Sequence, residues 1–490
     1  MKPLLWITFI LFVVGHISGP VVDPDLWWHI TVGNWILSNQ AIPTEELWNK
    51  FALGQPWIAY SWSIEILLAF VDGQFGDLGL AALKLLMNIA LVVTVFVVFA
   101  RLSGSWFFGA LIGALAVFGC VQNLTLRPQT FVWIYFVWIL GATDNIVRNG
   151  FSKRTILYFC LPFTLWANAQ ITTVIGIATA FVWLCALRKV KPVLIGTGLA
   201  FLATLITPYF GQEWLVFFAK SSHPMDHNII AEFQPAHILK FSTGFLILAL
   251  GLLLALLHKK PSAVYPERVL MGGALAIAGL TFVKFIPLAT LYLCALVCLA
   301  WRKRDASYGN LGEGIDRLKI LVYKLPLDAL SFILVCFFIL DLSKLWSQPI
   351  LNNFTPTVEI DYFLENDLPH PLLHDFGRGG YVMYRLKNSD GTIDYPVVID
   401  GRTNVNAPEI WQAFMAALGG KESWRELIDL TKPETILWDG NTPFSSLLIE
   451  SGEWCRLQVP GKQTGIDLFV KRDYFLTNTE KFKSDNCATD

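Results

Sequence analysis

The chain has 490 residues, of which 54% are hydrophobic and only 15% charged, against about 25% charged in soluble domains. Its net charge of −1 supplies no global field for nucleic acid or an acidic partner, so no nucleic-acid role is expected. Nineteen Trp and thirty-six Phe suit a surface that meets a lipid bilayer along much of its extent, and the composition predicts a polytopic α-helical membrane protein.

In chain order, apolar runs fall near residues 4–21, 77–100, 106–122, 130–147, 155–170, 171–187, 192–208, 243–258, 268–283, 285–301 and 325–345. Each approaches the roughly 20 residues that a bilayer demands, which predicts about eleven transmembrane helices. With a cytoplasmic N-terminus, one set of alternate loops holds the short basic clusters: Arg101; Arg148, Lys153 and Arg154; Arg188, Lys189 and Lys191; Lys259, Lys260 and Arg268; and Arg302, Lys303, Arg304, Arg317, Lys319 and Lys324. That one-sided bias is the positive-inside pattern. It places residues 22–60 and the C-terminal part outside, giving an integral, multi-pass protein with an extracytoplasmic C-terminal domain. The first run also resembles a signal peptide in its Met1-Lys2 start, but it ends in His16-Ile17-Ser18-Gly19-Pro20 without a small-x-small cleavage site, so a retained span is expected.

Just past that run stands Asp23-Pro24-Asp25-Leu26-Trp27-Trp28-His29. Two carboxylates at a bilayer edge favour chemistry at the membrane surface; the alternative is a polar turn or helix N-cap beside an interfacial Trp belt. Trp35-Ile36-Leu37 and Trp62–Leu68 are expected to form two short amphipathic helices in the headgroup plane. Glu65 lies on the second, facing either a cavity or water.

Further polar groups sit inside or at the lips of spans, where ionisable side chains usually face a cavity. Lys84 and Asn88 share a helix face, and Arg127-Pro128-Gln129, Asn168 and Gln170, Glu232 and Lys284 are all expected near the outer side. Each has a plain alternative as a snorkelling base or a satisfied hydrogen-bond partner. His223 and His227 have i, i+4 spacing and His237 follows, yet Pro224 opposes a regular helix there and no Glu completes a zinc-protease motif. Six of the eight Cys lie in or beside apolar runs and read as small hydrophobes; Cys455 and Cys487 in the outer part are able to pair.

From about Ser347 the composition becomes that of an α/β domain. Residues 371–376, 380–386, 395–399, 434–438 and 466–470 have strand character, and 411–418 and 424–430 look helical. Asp375-Phe376-Gly377-Arg378-Gly379-Gly380 is glycine-rich and basic, suited to a phosphate, though it carries no phosphate-loop fingerprint. Asp400-Gly401-Arg402-Thr403 follows a strand, the usual place of a binding loop, and reads equally as a turn with a structural Asp–Arg pair. The expected division is therefore a transmembrane domain over 1–346, with the external loop 22–76 carrying the acidic motif, and an extracytoplasmic α/β domain over 347–490.

The acidic stretch from Asp23 to His29 with Gly33 and Trp35, then Gly54-Gln55-Pro56-Trp57, resembles the acidic first loop of bacterial membrane proteins of the GT-C glycosyltransferase superfamily. Trp166-Ala167-Asn168, Thr207-Pro208-Tyr209, Gly379-Gly380-Tyr381 and Asp400-Gly401-Arg402-Thr403 are similar to further landmarks of that group, so the likeness runs from residue 23 to about 405. The chain departs from the pattern at Asn168-Ala169-Gln170 and at Asn404 and Asn406.

The resemblance implies a GT-C-like bundle in a bacterial inner membrane. Its activity would be transfer of a sugar from a polyprenyl-phosphate-linked donor to an extracytoplasmic acceptor (glycan, lipid or protein). Asp23 and Asp25 would be catalytic, one as general base, and would be able to hold Mg²⁺ or Mn²⁺. His29, Trp28, Glu65, Arg127, Gln129, Asn168, Gln170, Glu232, Lys284, Arg378, Asp400 and Arg402 would meet substrate. A non-catalytic assembly or binding protein and a lipid-linked substrate transporter are the alternatives.

Overall fold

A computed structural model describes residues 2–21, 23–221, 231–304, 308–324, 326–348, 350, 355–402, 405–462 and 464–487. His223, Asp226, His227, Thr403 and Asn404 lie outside the described residues. The helices in chain order begin with α1 (Lys2–Ile17), α2 (Leu26–Asn39), α3 (Trp62–Ser103), α4 (Trp106–Phe118), α5 (Pro128–Asn149), α6 (Lys153–Ala167), α7 (Thr173–Leu184) and α8 (Val190–Thr204). They continue as α9 (Glu213–Ser221), α10 (Phe241–Lys259), α11 (Pro266–Thr281), α12 (Ile286–Arg302), α13 (Gly309–Lys324) and α14 (Leu327–Ser347). After these come α15 (Thr357–Glu365), α16 (Gly379–Leu386), α17 (Pro408–Leu418), α18 (Arg425–Thr431), α19 (Pro443–Ser451) and α20 (Arg472–Leu476).

Every expected apolar run coincides with a helix. Among the described residues five helical stretches, including those at Pro128–Asn149, Phe241–Lys259 and Val283–Arg302, are long and apolar enough to cross a membrane. The chain divides into a helical unit, Met1–Val21 with Phe75–Pro349, and a mixed unit, Val22–Gln74 with Ile350–Asp490. The loop expected to belong with the bundle thus folds with the C-terminal part.

The helical unit is organised on α12. Its sequence is apolar on all sides, and every residue from Ile286 to Trp301 is buried, as expected for a helix surrounded by others. Helices α4, α5, α10 and α11 pack around it, α1 lies along α14, and α6, α7 and α8 pack on one another beside α5. Loops bearing the basic clusters meet at one end. Arg188 pairs with Glu267 at 3.2 Å, Lys260 Nζ donates to the Lys303 carbonyl at 2.9 Å, and Arg304 pairs with Asp316 at 3.4 Å. Lys84, which is hard to place from sequence, donates to the carbonyls of Gly19 and Pro20 at 2.9 and 2.8 Å, just past the end of α1. Asn88 Nδ2 donates to Ser18 Oγ at 2.9 Å.

Two expectations for residues 22–74 are corrected. Trp62–Leu68 does open a short helix, set off from the rest of α3 by a kink at Gly76 (φ 57°, ψ −151°) where glycine tolerates the left-handed φ, but its Ile64, Glu65 and Leu68 are buried rather than laid on a surface. Likewise α2 is not a headgroup helix: all residues from Leu26 to Gly33 are buried, and it packs against α16. It is apolar on every side rather than along one stripe, so it needs cover all round.

In the mixed unit, β1 (Leu372–His374), β2 (Thr435–Asp439), β3 (Trp454–Arg456) and β4 (Ile466–Lys471) form one sheet in the order β1-β2-β4-β3. Strands β1 and β2 are parallel with Leu373 opposite Ile436; β4 runs antiparallel to β2 and β3. Leu373, Ile436, Trp438 and Phe469 meet Phe414, Trp424, Phe444 and Trp454 in the core. Residues 380–386, expected as a strand, are the helix α16, and 395–399 form no strand beyond a bridge of Val397 to Asn49. The apolar run in each is short enough to fit either period, and tertiary packing decides it.

Cys455 and Cys487 form a disulfide that pins the C-terminal segment to β3, with a sequence separation of 32. Denatured protein should therefore expose six reactive thiols before reduction, the six that are free here, and eight after it, counted by mass after alkylation. Replacing both paired Cys by Ser should cost about 2–4 kcal/mol of stability, the usual scale for a loop of this size.

Candidate functional site

At the start of α2 the chain makes a tight polar turn. Asp23 Oδ1 accepts the Asp25 amide at 2.9 Å, and the Asp25 carbonyl accepts the His29 amide at 3.3 Å as the helix begins. Asp25 occupies the N-cap position, yet its side chain does not cap the helix. Anions are favoured at a helix N-terminus, so both carboxylates sit where the local field suits them. Asp23 is buried and Asp25 half-buried. The Asp25 carboxylate lies against Gly401, where a Cβ would overlap Asp25 Oδ1; only glycine permits that approach. The acidic motif and the 400–402 loop are thus brought together.

One turn on, His29 Nδ1 lies 3.0 Å from Glu65 Oε1, both side chains nearly inaccessible. This pair joins α2 to the start of α3. Trp28 stacks near the His29 ring at 3.5 Å between centroids, and Trp27 packs on Tyr381 and Tyr384 at 5.1 and 4.8 Å. These tryptophans are interior walls of the mixed unit, not an exposed belt or an open stacking platform.

Asp400 and Arg402, expected to meet substrate, are instead the centre of a buried clasp. Arg402 Nη1 and Nη2 donate to Glu46 Oε2 and Oε1 at 2.8 and 2.9 Å. Its Nε and Nη2 donate to Asp400 Oδ1 and Oδ2, both at 2.9 Å. The Arg402 side chain is 1% exposed, as is that of Glu46, and that of Asp400 is 0% exposed. Burial alone would lower the guanidinium pKa, but Asp400 and Glu46 outweigh it and hold the group firmly charged. Three indoles, Trp28, Trp48 and Trp57, stand 5.9, 5.5 and 5.3 Å from the guanidinium carbon, within cation–π range. Glu46 Oε1 also accepts the amides of Trp48 and Asn49, each at 2.8 Å. Asn406 closes the loop by accepting the Asp400 amide at 3.1 Å and donating to its carbonyl at 2.8 Å.

Arg378 is ion-paired with Asp375, and its Nε has no hydrogen-bond partner among the described residues. Gly379 and Gly380 serve packing rather than a phosphate cradle: a Cβ there would overlap the Ile399 carbonyl and press on the Pro24 carbonyl. His374 is fully buried beside them. Burial lowers its imidazole pKa against the pull of Asp375 and Asp400, while burial raises the Asp375 carboxyl despite Arg378.

In the helical unit a second set assembles. Arg127 pairs with Glu232, Gln129 Nε2 approaches Glu232 Oε1 at 3.5 Å, and Lys284 lies 3.6 Å from the centroid of Phe233. Asn168 and Gln170 have local roles. Asn168 Nδ2 donates to the carbonyls of Thr164 and Ile206, each at 2.8 Å, and Gln170 Oε1 accepts the Thr172 amide at 2.7 Å. Among the described residues no group of three or more His, Cys, Asp or Glu side chains is placed to hold a metal ion.

Sequence reasoning missed Glu46, Asn49 and His374. Arg402 called for a carboxylate partner, but nothing in the sequence singles out one 356 positions away.

No family model matches the sequence, and no curated protein matches it significantly. Among solved structures it is similar to the archaeal oligosaccharyltransferase AglB from Archaeoglobus fulgidus, in complex with an inhibitory peptide and a dolichol-phosphate. That match has a TM-score of 0.57 and 10% identity, and it covers 99% of this chain and 74% of the other. It is also similar to the Archaeoglobus fulgidus oligosaccharyltransferase in complex with Zn and sulfate, with a TM-score of 0.52, 10% identity, and 93% and 72% coverage. At this identity the likeness is one of fold.

Two outcomes follow from the clasp and from His374. Arg402→Ala leaves Glu46 and Asp400 buried without their cation and should destabilise the protein by about 3–5 kcal/mol. Arg402→Lys, lacking the planar fork, should recover only part of that, as read by thermal unfolding in detergent. Because the folded pKa of His374 is depressed, its contribution is present above the unfolded value near 6.5 and lost as pH falls below it. Unfolding temperature should therefore fall from pH 7.5 to 5 more in wild type than in His374→Asn, whose amide keeps a donor near the Asp375 carbonyl; equal slopes would contradict this.

Proposed function

We propose that this chain is a membrane glycosyltransferase that moves a sugar from a polyprenyl-phosphate-linked donor to an extracytoplasmic acceptor, with the Asp23–Asp25 motif supplying the base. The observation that carries the proposal is the fold likeness over 99% of the chain to an oligosaccharyltransferase solved with a dolichol-phosphate and a peptide. It is joined by two carboxylates fixed at the start of a buried helix. The gathering of basic loops at one end of the helical unit supports a cytoplasmic placement of that end. The Cys455–Cys487 disulfide supports an oxidising compartment for the mixed unit, as outside a bacterial inner membrane.

The chemistry assigns simple roles. The lipid tail of the donor stays in the bilayer, and its sugar is presented at the surface. Asp25 accepts the proton of the acceptor nucleophile as that atom bonds to the anomeric carbon. The bond from that carbon to the phosphate oxygen breaks, and polyprenyl phosphate leaves with the electron pair. Positive charge develops on the sugar, as in glycoside hydrolysis, so a fixed carboxylate such as Asp23 lowers the barrier electrostatically. Asp23 and Asp25 would also suit Mg²⁺ or Mn²⁺, since such ions commonly take one or two carboxylates and complete their shell with substrate phosphate and water. Such an ion would offset the charge on the departing phosphate. In the mixed unit Arg378, whose Nε has no hydrogen-bond partner among the described residues, is a candidate for an anionic part of a substrate; in the helical unit the Arg127–Glu232–Lys284 set is a separate candidate. Asp400 and Arg402 are not assigned a substrate role.

Purified protein given a radiolabelled polyprenyl-phosphate sugar and a membrane extract as acceptor source should transfer label. Asp25→Asn keeps the size of the side chain and removes the base, and should lower the rate on the order of 10²–10⁴-fold with unchanged folding. Near-normal transfer by both Asp23→Asn and Asp25→Asn would falsify the role of the motif, and wild-type binding of donor without transfer would support a binding protein instead.

A further inference from the structure

The helix α13 lies outside everything assigned above. Its 16 residues, Gly309–Lys324, join the buried α12 to the apolar α14, so both of its ends are tied to helices of the membrane bundle. Ile315, Leu318 and Val322 share one face at i, i+3 and i+7, with Leu321 beside them. Leu318 is 39% exposed and Leu321 59% exposed, so this apolar face is not consumed by the protein. Tyr323 near its end packs against Phe107 at 6.3 Å between ring centroids, and the neighbouring Trp106 is 61% exposed. An exposed Trp at the mouth of an apolar helix marks the level of a membrane interface.

The charges select among occupants of that face. Between Arg302 and Lys324 there are six Arg and Lys against three Asp and Glu. The two carboxylates of α13 are both engaged, Asp316 with Arg304 and Glu313 with Arg317, each at 3.4 Å. Lys319 and Lys324 add positive charge beside the apolar face. A second protein copy or a neutral lipid surface would have no use for this excess, whereas anionic headgroups match it.

We propose that α13 is an interfacial helix that docks on anionic lipid headgroups of the leaflet at the basic end of the bundle, with Leu318 and Leu321 in the acyl boundary and Lys319 and Lys324 at the phosphates. This rests on the membrane reading of the chain and is independent of glycosyl transfer.

Hydrogen–deuterium exchange of the peptide covering residues 309–324 tests it, with the full-length protein in nanodiscs of phosphatidylcholine alone or with about one-third phosphatidylglycerol. Exchange should be roughly tenfold slower in the anionic discs. That difference should vanish in the double variant Lys319→Glu, Lys324→Glu and persist in Lys319→Arg, Lys324→Arg. Equal exchange in the two lipids would overturn the proposal, as would protection that survives charge reversal or that follows protein density rather than lipid charge.

Discussion

The ion cluster of Arg402 with Glu46 and Asp400 is the constraint on which the mixed unit depends. One guanidinium faces two carboxylates, all with side chains at most 1% exposed. Removing three charges from water is costly, and the cost is met only if every polar atom finds a partner. Backbone donors add to those of the guanidinium in satisfying the carboxylates: the amides of Trp48 and Asn49 donate to Glu46, and that of Arg402 donates to Asp400. Because the partners come from residues 46 and 400–402, the cluster joins a segment near the N-terminus to one near the C-terminus. Around it the strand-like contacts follow, with Lys50 and Val397 amides donating to Val397 and Trp48 carbonyls at 2.8 Å.

The acidic motif takes its setting from that join. Gly401 follows Asp400 directly, and its bare Cα is what the Asp25 carboxylate packs against. On the other side α2 is held to α3 through His29 and Glu65 and to α16 through Trp27 and Tyr381. A base that must act at one atom benefits from such fixing, since misplacement by about an ångström is costly to rate. Arg402 therefore contributes to any chemistry of Asp25 by position, without itself meeting a substrate.

Much of the helical unit was legible because long apolar runs call for helices, and each apolar run coincides with one, five helical stretches among the described residues being long and apolar enough to cross a membrane. The burial of α2 was not legible, because it depends on α16, a partner helix more than 300 residues away. Short runs misled for a related reason. Residues 380–386 alternate well enough for a strand, yet Gly379 and Gly380 let that segment approach the 399–400 loop and the start of α2 as a helix. Strands β2 and β4 were readable from their β-branched and aromatic content, and β1 fell within the segment 371–376, while β3, of three residues, is too short to leave a period. For the candidate site, charge beside an apolar run drew attention to the Asp pair and to Arg127, Gln129, Glu232 and Lys284, and the structure brings Arg127 and Gln129 to Glu232. It did not reveal that Arg402 is spent internally, because an Arg in a loop reads the same whether it meets a ligand or a distant Glu.

The most direct test of the central claim is an experimental structure of the full chain with a non-hydrolysable polyprenyl-phosphonate sugar bound. If Asp25 is the base, the anomeric end of the sugar lies beside the start of α2, with an Asp25 oxygen within hydrogen-bond reach, about 2.6–3.2 Å, of the atom that attacks it. A sugar bound away from Asp23 and Asp25, with those carboxylates still enclosed by protein, would contradict it.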